Sequence, residues 1–213
     1  VTVSTVGPAL MDFGSEAQKR EFLPRILAGE CHFSIGYSEP NAGTDLASLS
    51  TAAVKEGKEW VINGTKMFTS GATDTDYIWL AARTDPNAPK HKGITMFIVP
   101  ADAKGFSASP IHTVGDGATA MSYYENVRVP EDAVVGGVNG GWKLITTQLN
   151  HERVGLAAFG SACYSRTEKV IDWARSTETS DGRKMLDLPW VQHNLAEVFA
   201  RIEAMKLLNW RMA

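Results

Sequence analysis

Apolar and polar positions along the chain change their period twice, and the changes divide it into three stretches. From residue 16 to 28 good helix formers carry Phe22, Leu23, Ile26 and Leu27, and Gly29 offers a stop. A helix is predicted there, kinked or divided at Pro24. From about Cys31 to Pro130 the texture turns to short β-branched and aromatic runs punctuated by Gly, Asn, Asp and Pro, as in an antiparallel β domain. Strands are predicted at 51–54, 59–62 and 66–69, joined by Glu56-Gly57-Lys58 and by Asn63-Gly64, a pair suited to a tight hairpin. Further strands fall at 77–83, 94–99 and 123–129, with Asp85 to Pro89 as an exposed loop. Beyond the glycine-rich run 136–141 the period lengthens to about 3.6. Trp142, Ile145, Leu149, Leu156 and Phe159 form the buried stripe of one long helix. A second helix runs from Val191 through Leu195, Val198, Ile202, Met205 and Met212, a pattern that asks for a helical partner. The fold class is α+β.

Composition narrows the picture by exclusion. At 213 residues the chain can bury a core without staples. Its two cysteines, Cys31 and Cys163, read as small buried thiols in a reducing compartment. The net charge of -3 and pI of 6.0, with mixed signs, leave no footprint for nucleic acid. No signal segment or bilayer-spanning run is visible, which places the protein in the cytoplasm. The chain starts at Val1 without a methionine and stops at Met212-Ala213 inside a helical pattern, so it is expected to be a piece of something longer.

Several familiar chemistries can be set aside. Gly115 to Ala120 matches G-x-G-x-x-A, but a strand rather than a helix follows, so a turn is expected instead of a dinucleotide site. His32, His91, His112, His151 and His193 have no metal-ligand spacing, and no metal is expected. No G-x-S-x-G elbow is present. The run Tyr37-Ser38-Glu39-Pro40-Asn41-Ala42-Gly43-Thr44-Asp45 crowds hydroxyls and carboxylates around a turn, which by residue chemistry alone fits either a well-capped loop or a ligand site.

Four ordered motifs give a more specific indication. Leu10 to Gly29, Tyr37 to Asp45, Ile62 to Gly71 and Asn126-Val127-Arg128-Val129-Pro130, continued by Gly140-Gly141-Trp142 and Glu152-Arg153, resemble the acyl-CoA dehydrogenase family. That resemblance implies the end of an N-terminal helical domain (1–30), a barrel-like middle β domain (31–134) and the first part of a C-terminal helical bundle (135–213). It implies FAD as cofactor and oxidation of an acyl-CoA thioester to the trans-2-enoyl thioester, with the α-hydrogen leaving as a proton and the β-hydrogen as hydride to flavin N5. Electrons would pass to an electron-transfer flavoprotein, from a tetrameric enzyme of fatty acid or steroid side-chain β-oxidation.

By position in the motifs, the resemblance assigns Tyr37, Ser38, Gly43, Thr44, Phe68, Thr69 and Ser70 to the cofactor, Ser38 at the flavin's pyrimidine edge and Ser70 near N5. Thr44 stands for the more usual serine and Phe68 for the more usual tryptophan. Thr44, Leu149, Asn150 and Arg153 are assigned to substrate, and Glu152, one residue before an arginine, matches the base of members that carry it on the first long C-terminal helix. In many other members the base lies on a later segment that this sequence does not contain. One departure stands out. Where the family usually shows R-x-x-F-G, a loop that lends an arginine and an aromatic to a neighbouring subunit's FAD, this chain has Thr177 to Leu186 with only Arg183 nearby. A heteromeric dehydrogenase with half the flavin sites would explain the departure. A non-catalytic or half-site subunit and a flavin-dependent monooxygenase of the same fold are the alternatives.

Overall fold

The computed structural model describes residues 1–117, 119–156 and 159–212, without the side chains of Val154, Phe159, Ser161 and Met212. The places expected for Phe159 and Met212 in their helical stripes, and for Ala118 in the Gly115 to Ala120 run, therefore lie outside the described residues. The chain forms two compact units, Val1–His151 and Glu152–Ala213.

In the first unit a short π-helical turn, Thr2–Val6, leads into α1 (Gly7–Phe13) and α2 (Glu16–Ala28). Ser15 and Gln18 close a capping box at the start of α2, and Gly29 ends it at φ 73°. Of the two expectations for Pro24, division is not met, because α2 runs through it as one element. Pro24 and Arg20, whose carbonyl cannot accept from a proline nitrogen, are both exposed, so that carbonyl is not buried in the core.

Eight strands follow: β1 (Phe33–Gly36), β2 (Ala52–Glu56), β3 (Glu59–Lys66), β4 (Tyr77–Arg83), β5 (Ile94–Pro100), β6 (Phe106–Ile111), β7 (Thr119–Pro130) and β8 (Val134–Val135). They form one sheet in the order β6-β7-β3-β2-β4-β5-β8, with β1 also on β4. The pairing is mostly antiparallel, but β1 runs parallel to β4, and β2 meets β4 in the same sense at Ala52 and Arg83. Parallel neighbours need a long connection, and the 40 residues between β1 and β4 provide it.

The tight turn at Gly57-Lys58 forms as predicted, with Glu56 opposite Glu59. Asn63-Gly64 does not make a second hairpin. Those residues lie inside β3, where the register on β7 slips by one residue and Asn126 takes φ 51°. The Asn63 side chain accepts from Asn126 N at 2.8 Å and donates to its Oδ1 at 3.2 Å, closing a β-bulge. Gly64 is needed for close approach, because a Cβ there would lie 2.5 Å from Thr51 Oγ1 and 2.7 Å from Thr51 Cα. Gly64→Ala is expected to cost about 1–3 kcal/mol by overpacking, seen as a lowered Tm. An unchanged Tm would show that Thr51 yields freely.

Burial on both faces explains the unbroken apolar runs of β4 and β5. Trp79, Ala81, Ile94, Met96 and Ile98 face a core shared with Leu10, Phe22, Ile26 and Phe33, while Ile78, Leu80, Ala82, Phe97 and Val99 face Trp60, Ile62, Tyr124 and Val127. Leu144 and Ile145, from the first turns of α3 (Gly141–Leu156), belong to the first of these cores. Residues 114–117 form a turn followed by β7, as expected.

In the second unit α4 (Phe159–Ser176) and α5 (Pro189–Met212) pack through Ala174, Val191 and Ile202. Trp173, Trp190, Phe199, Leu207, Leu208 and Trp210 are exposed. The single long helix expected from residue 142 is described as α3 and α4, and Leu156 of its stripe is exposed. Cys31 is buried, but Cys163, on a face of α4 that stays open, is not. Among the described residues no helix is long and apolar enough to cross a membrane.

Candidate functional site

The motif segments Tyr37 to Asp45 and Ile62 to Gly71 come together where β1 and β3 end. As β1 ends, the chain turns tightly at Glu39-Pro40-Asn41-Ala42, with Glu39 N donating to Ala42 O and Ala42 N to Glu39 O. Gly43, Thr44 and Asp45 follow on the surface, and no atom lies within 4 Å of the place where a Gly43 Cβ would stand. Lys90 at 2.6 Å and Ser48 at 2.5 Å hold Asp45 and lower its carboxyl pKa. As β3 ends, Met67 N donates to Ser38 O at 2.8 Å and Thr69 N to Ala120 O at 2.9 Å. Residues 66–69, expected as a strand, instead leave the sheet at Lys66. Phe68 sits at φ 59° and is 59% exposed. A non-glycine residue in the left-handed region is uncommon, and an exposed aromatic there is an unusual feature of this segment.

A buried ion pair ties the segments together. Lys66 Nζ lies 2.8 Å from Glu39 Oε1 and donates at 3.0 Å to Tyr37 O. The Glu39 carboxylate also accepts from Ser50 N and Ser50 Oγ, both at 2.7 Å, and from Thr51 N at 2.8 Å. Burial alone would raise the Glu39 pKa, but the Lys66 charge and the hydrogen bonds from Lys66 and Ser50 outweigh it and hold the group at about 2. Burial pushes the Lys66 ammonium down to about 8, although Glu39 pulls it the other way. Neither residue was singled out by the sequence reading.

A second buried polar cluster anchors Tyr37. Its hydroxyl bonds Gln148 Oε1, and Trp79 Nε1 donates to the same oxygen at 2.7 Å and to the Tyr37 hydroxyl at 3.2 Å. Because an indole N–H only donates, the Gln148 oxygen must face Trp79. Gln148 Nε2 is then left buried without a hydrogen-bond partner. The signal in the sequence was a glutamine among apolar positions of α3.

The residues assigned to the cofactor therefore play different parts. The side chains of Tyr37 and Thr69 are buried, Thr69 Oγ1 lying 3.0 Å from Ser122 Oγ, so these two residues offer backbone only. Ser38 is half-buried, and Gly43, Thr44, Phe68 and Ser70 are exposed. Ser70 Oγ donates to Thr119 Oγ1 at 3.3 Å, and Ser34 Oγ to Ser70 O at 2.8 Å. On α3, Leu149 is partly buried against the first core and Asn150 is exposed. Glu152 is half-buried and Arg153 exposed, and both belong to the second unit.

In that unit the loop after α4 closes on itself. Glu178 bridges Lys184 across a turn at Ser180 to Gly182, and Arg183 donates twice to Asp181 Oδ2, at 2.9 and 2.6 Å. Asp181 is held well below the carboxylate range by the Arg183 and Thr179 hydrogen bonds.

A family model described as the acyl-CoA dehydrogenase middle domain matches residues 34–127, and one described as the C-terminal domain matches 139–213. This chain belongs to the acyl-CoA dehydrogenase family. It is 53% identical over its whole length to the acyl-CoA dehydrogenase FadE29 of Mycobacterium tuberculosis, covering 55% of that protein. Among solved structures it resembles the Tcur3481-Tcur3483 steroid ACAD, with 59% identity and a TM-score of 0.93 over 100% of this chain and 54% of that one. It also resembles the ChsE4-ChsE5 complex from Mycobacterium tuberculosis, with 50% identity and a TM-score of 0.93 over 100% of this chain and 55% of that one. The chain thus spans about half the length of the relatives it matches. The family's middle-domain match covers both segments joined by Lys66.

Proposed function

We propose that this chain is the flavin-binding core of an FAD-dependent acyl-CoA dehydrogenase subunit that forms a trans-2-enoyl-CoA from a bulky acyl-CoA of the steroid side-chain class. The observation that carries the reading is the tying of the Tyr37 to Asp45 loop to Lys66 and Met67, directly before Phe68 to Ser70, so that the hydroxyls of the two segments and the exposed Phe68 lie on chain ends that are joined. That donor set fits FAD, which when bound would supply the acceptor for the β-hydride. Residues 31–134 would hold it, with Ser38, Gly43, Thr44 and Ser70 as polar or close-approach contacts, Phe68 as a wall, and Tyr37 and Thr69 through their backbone. Glu152 takes the α-proton on its carboxylate. Leu149 excludes water, and Thr44, Asn150 and Arg153 hold the thioester and pantetheine. An electron-transfer flavoprotein reoxidises the enzyme, which works in the cytoplasm.

The substrate class and a heteromeric assembly are supported by the steroid ACAD and the ChsE4-ChsE5 complex that this chain resembles. The loop after α4 favours a specific form of that reading. Arg183 is engaged by Asp181 within its own loop, so it is not offered to a neighbour, and this chain completes no flavin site in trans.

Full-length protein, co-expressed with its partner subunit, is expected to be yellow, to bleach anaerobically with a steroid side-chain acyl-CoA, and to carry about one FAD for every two subunits. Colourless protein would remove the cofactor assignment. One FAD per subunit would remove the half-site arrangement and leave the dehydrogenase standing.

A further inference from the structure

The buried ion pair does more than join two segments, because it fixes which way one peptide group faces. Lys66 Nζ holds the Tyr37 carbonyl at 3.0 Å, on the inner side of the loop. In a trans peptide the C=O and the following N–H point in opposite directions, so the Ser38 N–H is turned away from Lys66. The next peptide is committed elsewhere: Ser38 O accepts from Met67 N at 2.8 Å, and Glu39 N donates to Ala42 O at 2.9 Å. Ser38 N–H is therefore the donor of this loop that faces away from Lys66, just past the end of β1, where Met67 N ties the loop to the residue before Phe68.

The choice of lysine has a physical reason. The group must reach from the end of β3, place one proton on a carbonyl and another on a carboxylate, and do so with a side chain that is fully buried, alongside a Glu39 side chain that is nearly so. Glu39 in turn is held by three donors from Ser50 and Thr51, so the ammonium is aimed from a rigid base. A neutral donor would lack the attraction that keeps Lys66 extended.

We propose that Lys66 is a positioning residue for the cofactor loop: by holding the Tyr37 carbonyl inward, it presents the Ser38 N–H to an electron-rich acceptor at the pyrimidine edge of a flavin. This rests on the reading that FAD binds here. A donor at that edge favours the reduced, more electron-rich ring, so Lys66 tunes the flavin potential without touching the flavin.

The test uses full-length protein in its expressed assembly, stripped of flavin and titrated with FAD. Lys66→Met combined with Glu39→Gln removes both charges together, so that no lone buried charge remains. The folded double variant is expected to bind FAD about tenfold more weakly, the loss of roughly one hydrogen bond, and to have a more negative midpoint potential. Lys66→Arg, which keeps a donor, recovers part of both. A folded double variant with the parent's FAD affinity and potential would overturn the proposal. Residue-resolved hydrogen exchange on the parent gives an independent answer: the Ser38 amide slows when FAD is added, and unchanged exchange overturns the proposal even if the double variant does not fold. Failure of the underlying reading looks different, because the parent itself would then take up no FAD.

Discussion

Replacing Glu152 by glutamine is expected to slow anaerobic bleaching of the flavin by an acyl-CoA by about a hundredfold to ten-thousandfold, with FAD content unchanged. The expectation follows from the chemistry of the substrate. A proton beside a thioester is weakly acidic, so it leaves at a useful rate only if a carboxylate is placed to receive it as hydride departs. Glutamine keeps the shape and the hydrogen-bonding capacity of Glu152 but accepts no proton. Glu152 is half-buried on α3 and is followed by Arg153, in the order of family members that carry the base there. Stopped-flow bleaching measures the rate, and the visible spectrum checks the flavin. A variant that bleaches as fast as the parent would move the base to another residue of the full-length enzyme.

Lys66→Met alone is expected to destabilise the protein by about 3–5 kcal/mol, because Glu39 is left charged and unpaired in the interior. The double change with Glu39→Gln recovers most of that loss, since neither charge then remains. Acid gives the same contrast. The Glu39 pKa is depressed from an ordinary 4.5 to about 2, so its contribution is present above pH 4.5 and is lost as the pH falls through about 2. That difference corresponds to about 3 kcal/mol. Chemical denaturation at neutral pH and across this acid window should show the parent losing stability more steeply than the double variant. Equal slopes would mean that Glu39 is not held in its charged form by the fold.

Much of the first unit was legible because its signals are local. Gly29 ends α2, Gly57-Lys58 turns β2 into β3, and β4 and β5 stand out as continuous apolar runs. Other local signals were misleading. Pro24 was expected to kink or divide a helix that is not divided there, and Asn63-Gly64 was expected to turn a hairpin where the sheet places a bulge. The preference of Asn-Gly for a turn is worth less than the pairing of β3 with β7 along its length. The parallel seat of β1 on β4 left no mark in the period of either strand, because parallel and antiparallel partners bury the same faces.

The candidate site divides along the same line. The residues assigned to the ligand occur in contiguous runs, Tyr37 to Asp45 and Phe68 to Ser70, and the order and residue types of those runs carried the family resemblance without coordinates. What holds them had no contiguous signature. Lys66 and Glu39 are 27 residues apart, Trp79 and Gln148 are 69 apart, and Tyr37 and Gln148 are 111 apart. In sequence Lys66 is an ordinary charged residue near the end of a strand, and Gln148 an ordinary polar residue on a helix.

The sequence by itself determined the family, the α+β class, the motif segments at Tyr37 to Asp45 and Ile62 to Gly71, and the altered loop at Thr177 to Leu186. All four depend on neighbouring residues read in order. Only the tertiary structure decided that Tyr37 and Thr69 turn their side chains inward, that Arg183 pairs with Asp181, and that a buried ion pair of Lys66 and Glu39 holds the Tyr37 carbonyl. Those outcomes depend on strand register and burial. Burial in turn decides whether a charge is a solvated surface group or, as at Lys66, a fixed internal donor.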